Sequence, residues 1–208
     1  MRATAMRVVR ERGTPGDAVL AEAAACVTAG GTLIFPTETV YGIGCAPDDV
    51  RAVEAIFRAK QRPADKPLAI HLAYPEQAPM FAHALTPCAR RIIERLWPGP
   101  VAIVVERAPG VAAAAALHGS TISLRCPDDA ACAAILGATG PLAATSANIS
   151  DRPAFTGEED EALLPDATLA IITGPTRLRQ ESTVVDCTGE RARILRHGAV
   201  DDATIASV

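Results

Sequence analysis

The chain has 208 residues, 49% of them apolar and 3% aromatic, with 20 basic against 24 acidic side chains and a formal net charge of −4. That length and apolar content support a packed core of Ala, Val, Leu and Ile. The acidic balance argues against a general nucleic-acid coat, and the scarcity of rings argues against single strands stacked on exposed aromatics.

A strand is expected near residues 6–9. Thr14-Pro15-Gly16-Asp17 then forms a turn that can open a helix with an apolar stripe of Val19, Leu20, Ala23, Ala24 and Val27. Gly30-Gly31 ends that helix. Residues 32–35 are apolar and partly β-branched, which predicts a buried strand stopped by Pro36. Thr37, Glu38, Thr39 and Tyr41 place hydroxyls and a carboxylate in a loop at its exit. Gly42 and Gly44 permit close backbone approach or positive φ in that loop. Asp48 or Asp49 can cap the next helix, where Val53, Ile56 and Phe57 share one face. Lys60, Arg62 and Lys66 gather around Pro63 at its end, before a second strand at 68–72.

Thr86-Pro87 pairs a capping hydroxyl with proline at a first helical position. Ile92, Ile93, Leu96 and Trp97 line one side of that helix, Trp-Pro-Gly-Pro closes it, and a strand covers 101–106. Residues 109–119 read equally as loop or weak helix. Residues 121–125 alternate as a strand ending in Arg125, and Pro127 and Asp128 begin a helix containing Ile135 and Leu136. A short buried strand at 142–144 runs into Thr145-Ser146-Ala147-Asn148. Thr156 is placed to cap a helix with the acidic first turn Glu158-Glu159-Asp160-Glu161. A strand at 169–173, a hairpin of 182–186 with 192–195, and a short helix from Asp201 complete the chain. Strand–helix–strand units mixed with hairpins predict an α/β domain with a mixed sheet and one ligand cleft at a sheet edge.

Six scattered cysteines include no C-x-x-C pair, which gives a zinc site little support. Met1 to Arg7 has no apolar segment behind it to make a signal peptide, and no apolar run reaches membrane-spanning length. A soluble, reduced, cytoplasmic setting is expected. The P-loop pattern, the third dinucleotide-fold glycine, H-E-x-x-H and G-x-S-x-G are all missing.

What remains is a set of cations and hydroxyls at element ends: Thr39, Lys60, Arg62, Lys66, Thr121, Arg125, Ser146, Asn148, Thr156, Ser182 and Arg196. Such donors suit phosphate and carboxylate ligands, and phosphoryl or nucleotidyl transfer needs little beyond positioning and charge compensation. Each also has a structural reading. Lys60, Arg62 and Lys66 suit a solvated helix end. Ser146 and Asn148 suit a turn, and Arg125 can pair with Asp128 or Asp129. His71 suits a hydrogen-bonded core histidine, Cys45 and Cys126 suit small buried fillers, and Trp97 suits a packing residue.

Together PTETVYGIG, KQRPADKPLAIHL, SLRCP, TSANIS, RPAFT, EST and ILRHG resemble, in order and spacing, the YrdC/Sua5 family from about Gly31 to Gly198. Lys60-Gln61-Arg62 with Ser146-Ala147-Asn148 matches that family's KxR and SxN hallmark. The resemblance implies one YrdC-like domain over 1–208, its core about 14–200. It implies a twisted mixed parallel and antiparallel sheet, flanking helices and a concave basic cleft. It also implies L-threonylcarbamoyladenylate synthesis from ATP, L-threonine and bicarbonate, with Mg²⁺ accompanying ATP. A downstream transferase complex would then modify tRNA at adenosine 37. By matching motifs, threonine would meet Thr39, His71, Arg125, Ser146 and Ser182. ATP would meet Lys60, Arg62, Lys66, Thr121, Asn148, Thr156 and Arg196, with Lys60, Arg62, Ser146 and Asn148 as the catalytic set. Two departures stand out: KPL at Lys66 where many relatives have NPL, and RHG at His197 where RPG is usual. Ending at Val208, the chain resembles the short form without a C-terminal Sua5 domain. An RNA-binding module using the same cleft, and a carbamoyl-adenylate domain of the hydrogenase-maturation kind, are the alternatives.

Overall fold

A computed structural model describes residues 6–63 and 65–208, so the sequence reading of the first five residues lies outside the described part. Among the described residues ten strands form one sheet: β1 (Arg7–Arg10), β2 (Leu33–Phe35), β3 (Gly42–Cys45), β4 (Ala69–His71), β5 (Val101–Glu106), β6 (Thr121–Arg125), β7 (Leu142–Ser146), β8 (Leu169–Ile172), β9 (Thr183–Asp186) and β10 (Arg193–Arg196). Their spatial order is β1-β8-β2-β3-β7-β4-β6-β5-β9-β10. The β1/β8, β2/β8, β4/β6 and β5/β9 pairs are parallel and the others antiparallel, which makes the expected mixed sheet.

Five α-helices among the described residues accompany it: α1 (Asp17–Thr28), α2 (Val50–Lys60), α3 (Pro87–Leu96), α4 (Ala130–Thr139) and α5 (Asp202–Ala206). One face of the sheet, with Ile34, Ile43, Ile70, Ile103 and Leu124, shares its core with Val53 and Ile56 of α2 and Ile92 of α3. The opposite face, with Leu33, Phe35, Leu142 and Ile171, packs on Val27 of α1 and Ile135 of α4. That second cover lies over the β8, β2 and β7 side of the sheet. Over β4, β6, β5 and β9 the same face carries the site instead.

Local chemistry explains the ends. Asp49, not Asp48, caps α2 through bonds from Arg51 N (2.9 Å) and Ala52 N (3.0 Å). Gln61 adopts φ 51 to close α2, and Arg62 N returns to Phe57 O (2.9 Å). Thr86 caps α3 as expected, and Trp97 is a packing residue whose Nε1 donates to Val101 O (2.7 Å).

Three expectations need correction. Gly42 and Gly44 are in strand β3, not a loop, and neither has positive φ. They are small because a Cβ on Gly42 would meet the Phe35 ring at 3.0 Å. No α-helix follows Thr156. Its N and Oγ1 are both held by Glu159 (2.7 Å each), and Gly157 takes φ 95, so the acidic run bends back. Asp160 caps only a short 3-10 turn, Glu161–Leu163. Finally, the helix expected from Pro127 starts at Ala130, because Asp129 is its cap. A 3-10 turn at Pro75–Met80 carried no sequence signal that the periodicity reading used.

Candidate active site

Strand alternation builds the floor of the site. Ile70, Leu124, Ile103 and Val185 enter the helix-covered core. Ala69, His71, Ser123, Arg125, Ala102, Val104 and Val184 therefore point to the other face. They line a hollow of about 290 Å³ together with Thr37, Ser146 and Ser182. A second hollow of about 680 Å³ adjoins it, lined by Lys60, Lys66, Asn148, Arg152, Thr156 and Arg179. Val40, Arg62, Ser146, Glu181 and Arg196 line both, so the two chambers share a wall.

The inner chamber is organised by Arg125. Its Nη2 donates to Glu38 Oε2 (2.7 Å) and Thr39 Oγ1 (2.8 Å), and all three residues are buried. The structural pairing foreseen with Asp128 or Asp129 does not form, since Asp128 pairs with Arg177 and Asp129 caps α4. Thr37 Oγ1 donates to Val40 O (2.6 Å), so the Thr39 hydroxyl 2.8 Å away donates to Thr37 while accepting from Arg125. Thr39 is thus a strut beneath Arg125 and is fully buried, rather than a lining group. His71 stands edge-on to Phe35, with ring centroids 5.8 Å apart. Its Nδ1 is buried and has no hydrogen-bond partner. Burial first, and Arg125 second, push its pKa down to about 3, so the imidazole is neutral at ordinary pH. A neutral imidazole beside a fixed guanidinium suits a ligand carrying both a carboxylate and hydrogen-bond donors.

The outer chamber is organised by Lys60. Its Nζ donates to Ser146 O (2.5 Å), to Asn148 O and to Asn148 Oδ1 (3.3 Å). Ser146 Oγ donates to the same Asn148 Oδ1 (2.6 Å), and Asn148 Nδ2 donates to Arg152 O (2.6 Å). Lys60 is therefore the peg of the turn after β7, and its ammonium is committed to the backbone rather than presented to a phosphate. Burial, then Arg62, lower its pKa to about 8. Arg62 is braced by Lys66 O (2.8 Å), Pro67 O (2.9 Å) and Thr145 Oγ1 (3.2 Å). Burial, then Arg196, depress its pKa as well. Arg196 donates to Ser182 O (2.8 Å) and Ser182 Oγ (3.1 Å), and pairs with Glu181.

A protein-family model covering the Sua5, YciO and YrdC proteins, described as "Telomere recombination", matches residues 25–198. The chain belongs to the Sua5/YciO/YrdC family. It is 33% identical to threonylcarbamoyl-AMP synthase of Bacillus subtilis over 96% of this chain and 59% of that protein. It is 33% identical to a putative threonylcarbamoyl-AMP synthase of Mycobacterium tuberculosis H37Rv over 91% of this chain and 88% of that one. The crystal structure of Pyrococcus abyssi Sua5 complexed with L-threonine superposes with TM-score 0.86 at 34% identity, covering 98% of this chain and 60% of that one. The chain thus spans about three-fifths of the B. subtilis and P. abyssi proteins.

Most site residues expected from the Sua5/YciO/YrdC resemblance come together. His71, Arg125 and Ser182 line the inner chamber; Lys60, Lys66, Asn148 and Thr156 the outer; Arg62, Ser146 and Arg196 both. Thr121 does not join them: it is exposed at the start of β6, opposite Glu106, and lines neither chamber. The sequence reading missed Ser123, Arg152, Arg179 and Glu181. Ser123 was recoverable, since it stands two residues before Arg125 on one strand and so shares its face. The other three lie on loops, where no periodicity marks them.

Proposed function

We propose that this chain forms L-threonylcarbamoyladenylate and pyrophosphate from ATP, L-threonine and bicarbonate, as a nucleotidyltransferase acting through one site on one domain. The observation that carries it is the two-chamber site whose shared wall holds Arg62, Ser146 and Arg196. The inner chamber, with Arg125, His71 and Ser182, suits an amino acid. Arg125 takes the carboxylate, which fixes the direction of the amine. The outer chamber, with Arg62, Lys66, Arg152, Arg179 and Arg196, suits a triphosphate.

Threonine's amine combines with bicarbonate to give a carbamate and water. A carbamate oxygen then attacks the α-phosphorus of ATP, and the bond to the pyrophosphate oxygen breaks. The chain's part is to hold amino acid and nucleotide in line and to offset charge near Arg62 and Arg196. No side chain need form a covalent intermediate. Among the described residues no group of three or more His, Cys, Asp or Glu is placed to hold a metal. Mg²⁺ therefore fits best as an ion carried in by the triphosphate, supplying charge neutralisation there.

The product would pass to a transferase complex that modifies tRNA, which argues for work in the cytoplasm. No described helix is long and apolar enough to cross a membrane. The test is pyrophosphate release measured with each substrate omitted in turn. Release is expected only when ATP, threonine and bicarbonate are all present; release indifferent to threonine would overturn the reading. Arg62→Ala is expected to lower turnover by roughly two orders of magnitude, the scale of one lost charge-stabilising donor.

A further inference from the structure

The shared wall between the chambers contains one carboxylate among its cations. Glu181 lines both hollows. Its Oε2 pairs with Arg196 Nη1 at 2.9 Å, and its charge also acts on Lys60 and Arg62. The remaining donors of Arg196 are already given to Ser182 through Nε and Nη2. Nη1, with its two N–H groups, is thus the nitrogen Arg196 has left to offer, and Glu181 pairs with it.

The geometry points to Glu181 as an internal counter-ion to the cations of the shared wall, one that must be displaced when a triphosphate enters. This rests on the synthase reading above and adds what sets nucleotide affinity at that site. Three features support displacement. The Glu181 side chain is 40% exposed, so it has solvent to swing into. Its backbone is anchored independently, with Ala199 N donating to Glu181 O (2.9 Å), so the side chain can move without its loop. And Arg62 and Arg196 are close enough to depress the pKa of Arg62, a repulsion that an anion between them relieves. Phosphate oxygens would relieve it as well, and more fully, which makes the exchange favourable. Glu181 then orders these cations at the cost of nucleotide affinity.

The experiment is calorimetric titration of the full chain with pyrophosphate, with a non-hydrolysable ATP analogue and with L-threonine, with and without Mg²⁺. Glu181→Gln is expected to tighten pyrophosphate and analogue binding roughly fivefold without Mg²⁺, the order of one charge–charge interaction at a few ångströms in high dielectric. Threonine affinity should change little. Glu181→Asp, which keeps the charge and shortens the reach, should shift affinity the same way by less, and it serves if Gln fails to fold. Unchanged or weaker anion binding in both variants would overturn the proposal. Weakening confined to samples with Mg²⁺ would also overturn it, by making Glu181 a metal-facing group. Wild-type protein that binds neither threonine nor the nucleotide analogue would overturn the synthase reading with it, whereas normal wild-type binding with no tightening in the variants removes only the counter-ion role.

Discussion

Lys60 shows how one side chain can depart from both readings its sequence position suggests. A basic residue in the last turn of a helix is expected to serve the helix dipole and face water. Here it is buried, and its ammonium meets two carbonyls and an amide oxygen of the turn that carries Ser146 and Asn148. Replacing it with methionine would leave Asn148 O without its donor and take one of two donors from Ser146 O and from Asn148 Oδ1. Lys60→Met is expected to cut turnover at least roughly tenfold and to speed amide exchange over residues 146–150. The pH signature has a definite sign. The folded pKa is near 8, below the ordinary 10.5, so between those values the unfolded chain holds more protons. Wild-type stability relative to Lys60→Met should therefore rise with pH from about 8 upward, by at most about 1.4 kcal/mol per unit. Denaturant unfolding of both proteins from pH 7.5 to 9.5 measures it, and a flat difference would mean the lysine keeps its proton throughout.

At the scale of elements, α2 is the lever that delivers the first cations. Its start is fixed by Asp49 and its end by Gln61 in the left-handed region. The end matters more, because Lys60 and Arg62 flank that residue and diverge from it, one into the turn after β7 and one onto the shared wall. Glycine adopts φ 51 without a Cβ penalty but loses more entropy on folding. Gln61→Gly is expected to leave activity intact and to stabilise by up to about 1 kcal/mol, read as a melting temperature higher by a few degrees. A fall in melting temperature would mean that Gln61 makes contacts worth more than its strain. The same element shows what periodicity reads well. Val53 and Ile56 were placed inside by helical spacing and are inside. Gly42 and Gly44 read from sequence as loop residues that permit close approach or positive φ; the Phe35 ring that requires them comes from the neighbouring strand, β2.

For the whole molecule, the decisive fact is that helices cover one face of the sheet broadly and the other only in part. The bare patch over β4, β6, β5 and β9 is floored by small residues, Ala69, Ala102 and Ser123 among them. Ala102→Leu would project its side chain into the inner chamber of about 290 Å³ rather than into the helix-packed core. It is expected to weaken threonine binding by roughly tenfold or more, the scale of overfilling a packed site, with little change in melting temperature. Titration with threonine alongside thermal unfolding checks this; equal loss of both would mean that the patch is structural core.

The sequence alone determined the mixed α/β class, most element positions, the burial of the apolar stripes and, through its motifs, the family and the motif residues that the fold brings to the two chambers. Those follow from local rules: side-chain periodicity, capping and turn chemistry act within a few residues of one another. Tertiary structure decided which of the polar groups face the ligand space. Thr39, Thr121 and Lys60 carry the right chemistry, yet one is a strut, one lies outside, and one pegs a turn. Glu181 opens the EST motif, but only the fold puts its carboxylate on the shared wall. Orientation of that kind depends on which strands become neighbours, and partners such as Lys60 and Asn148 are 88 residues apart in the chain.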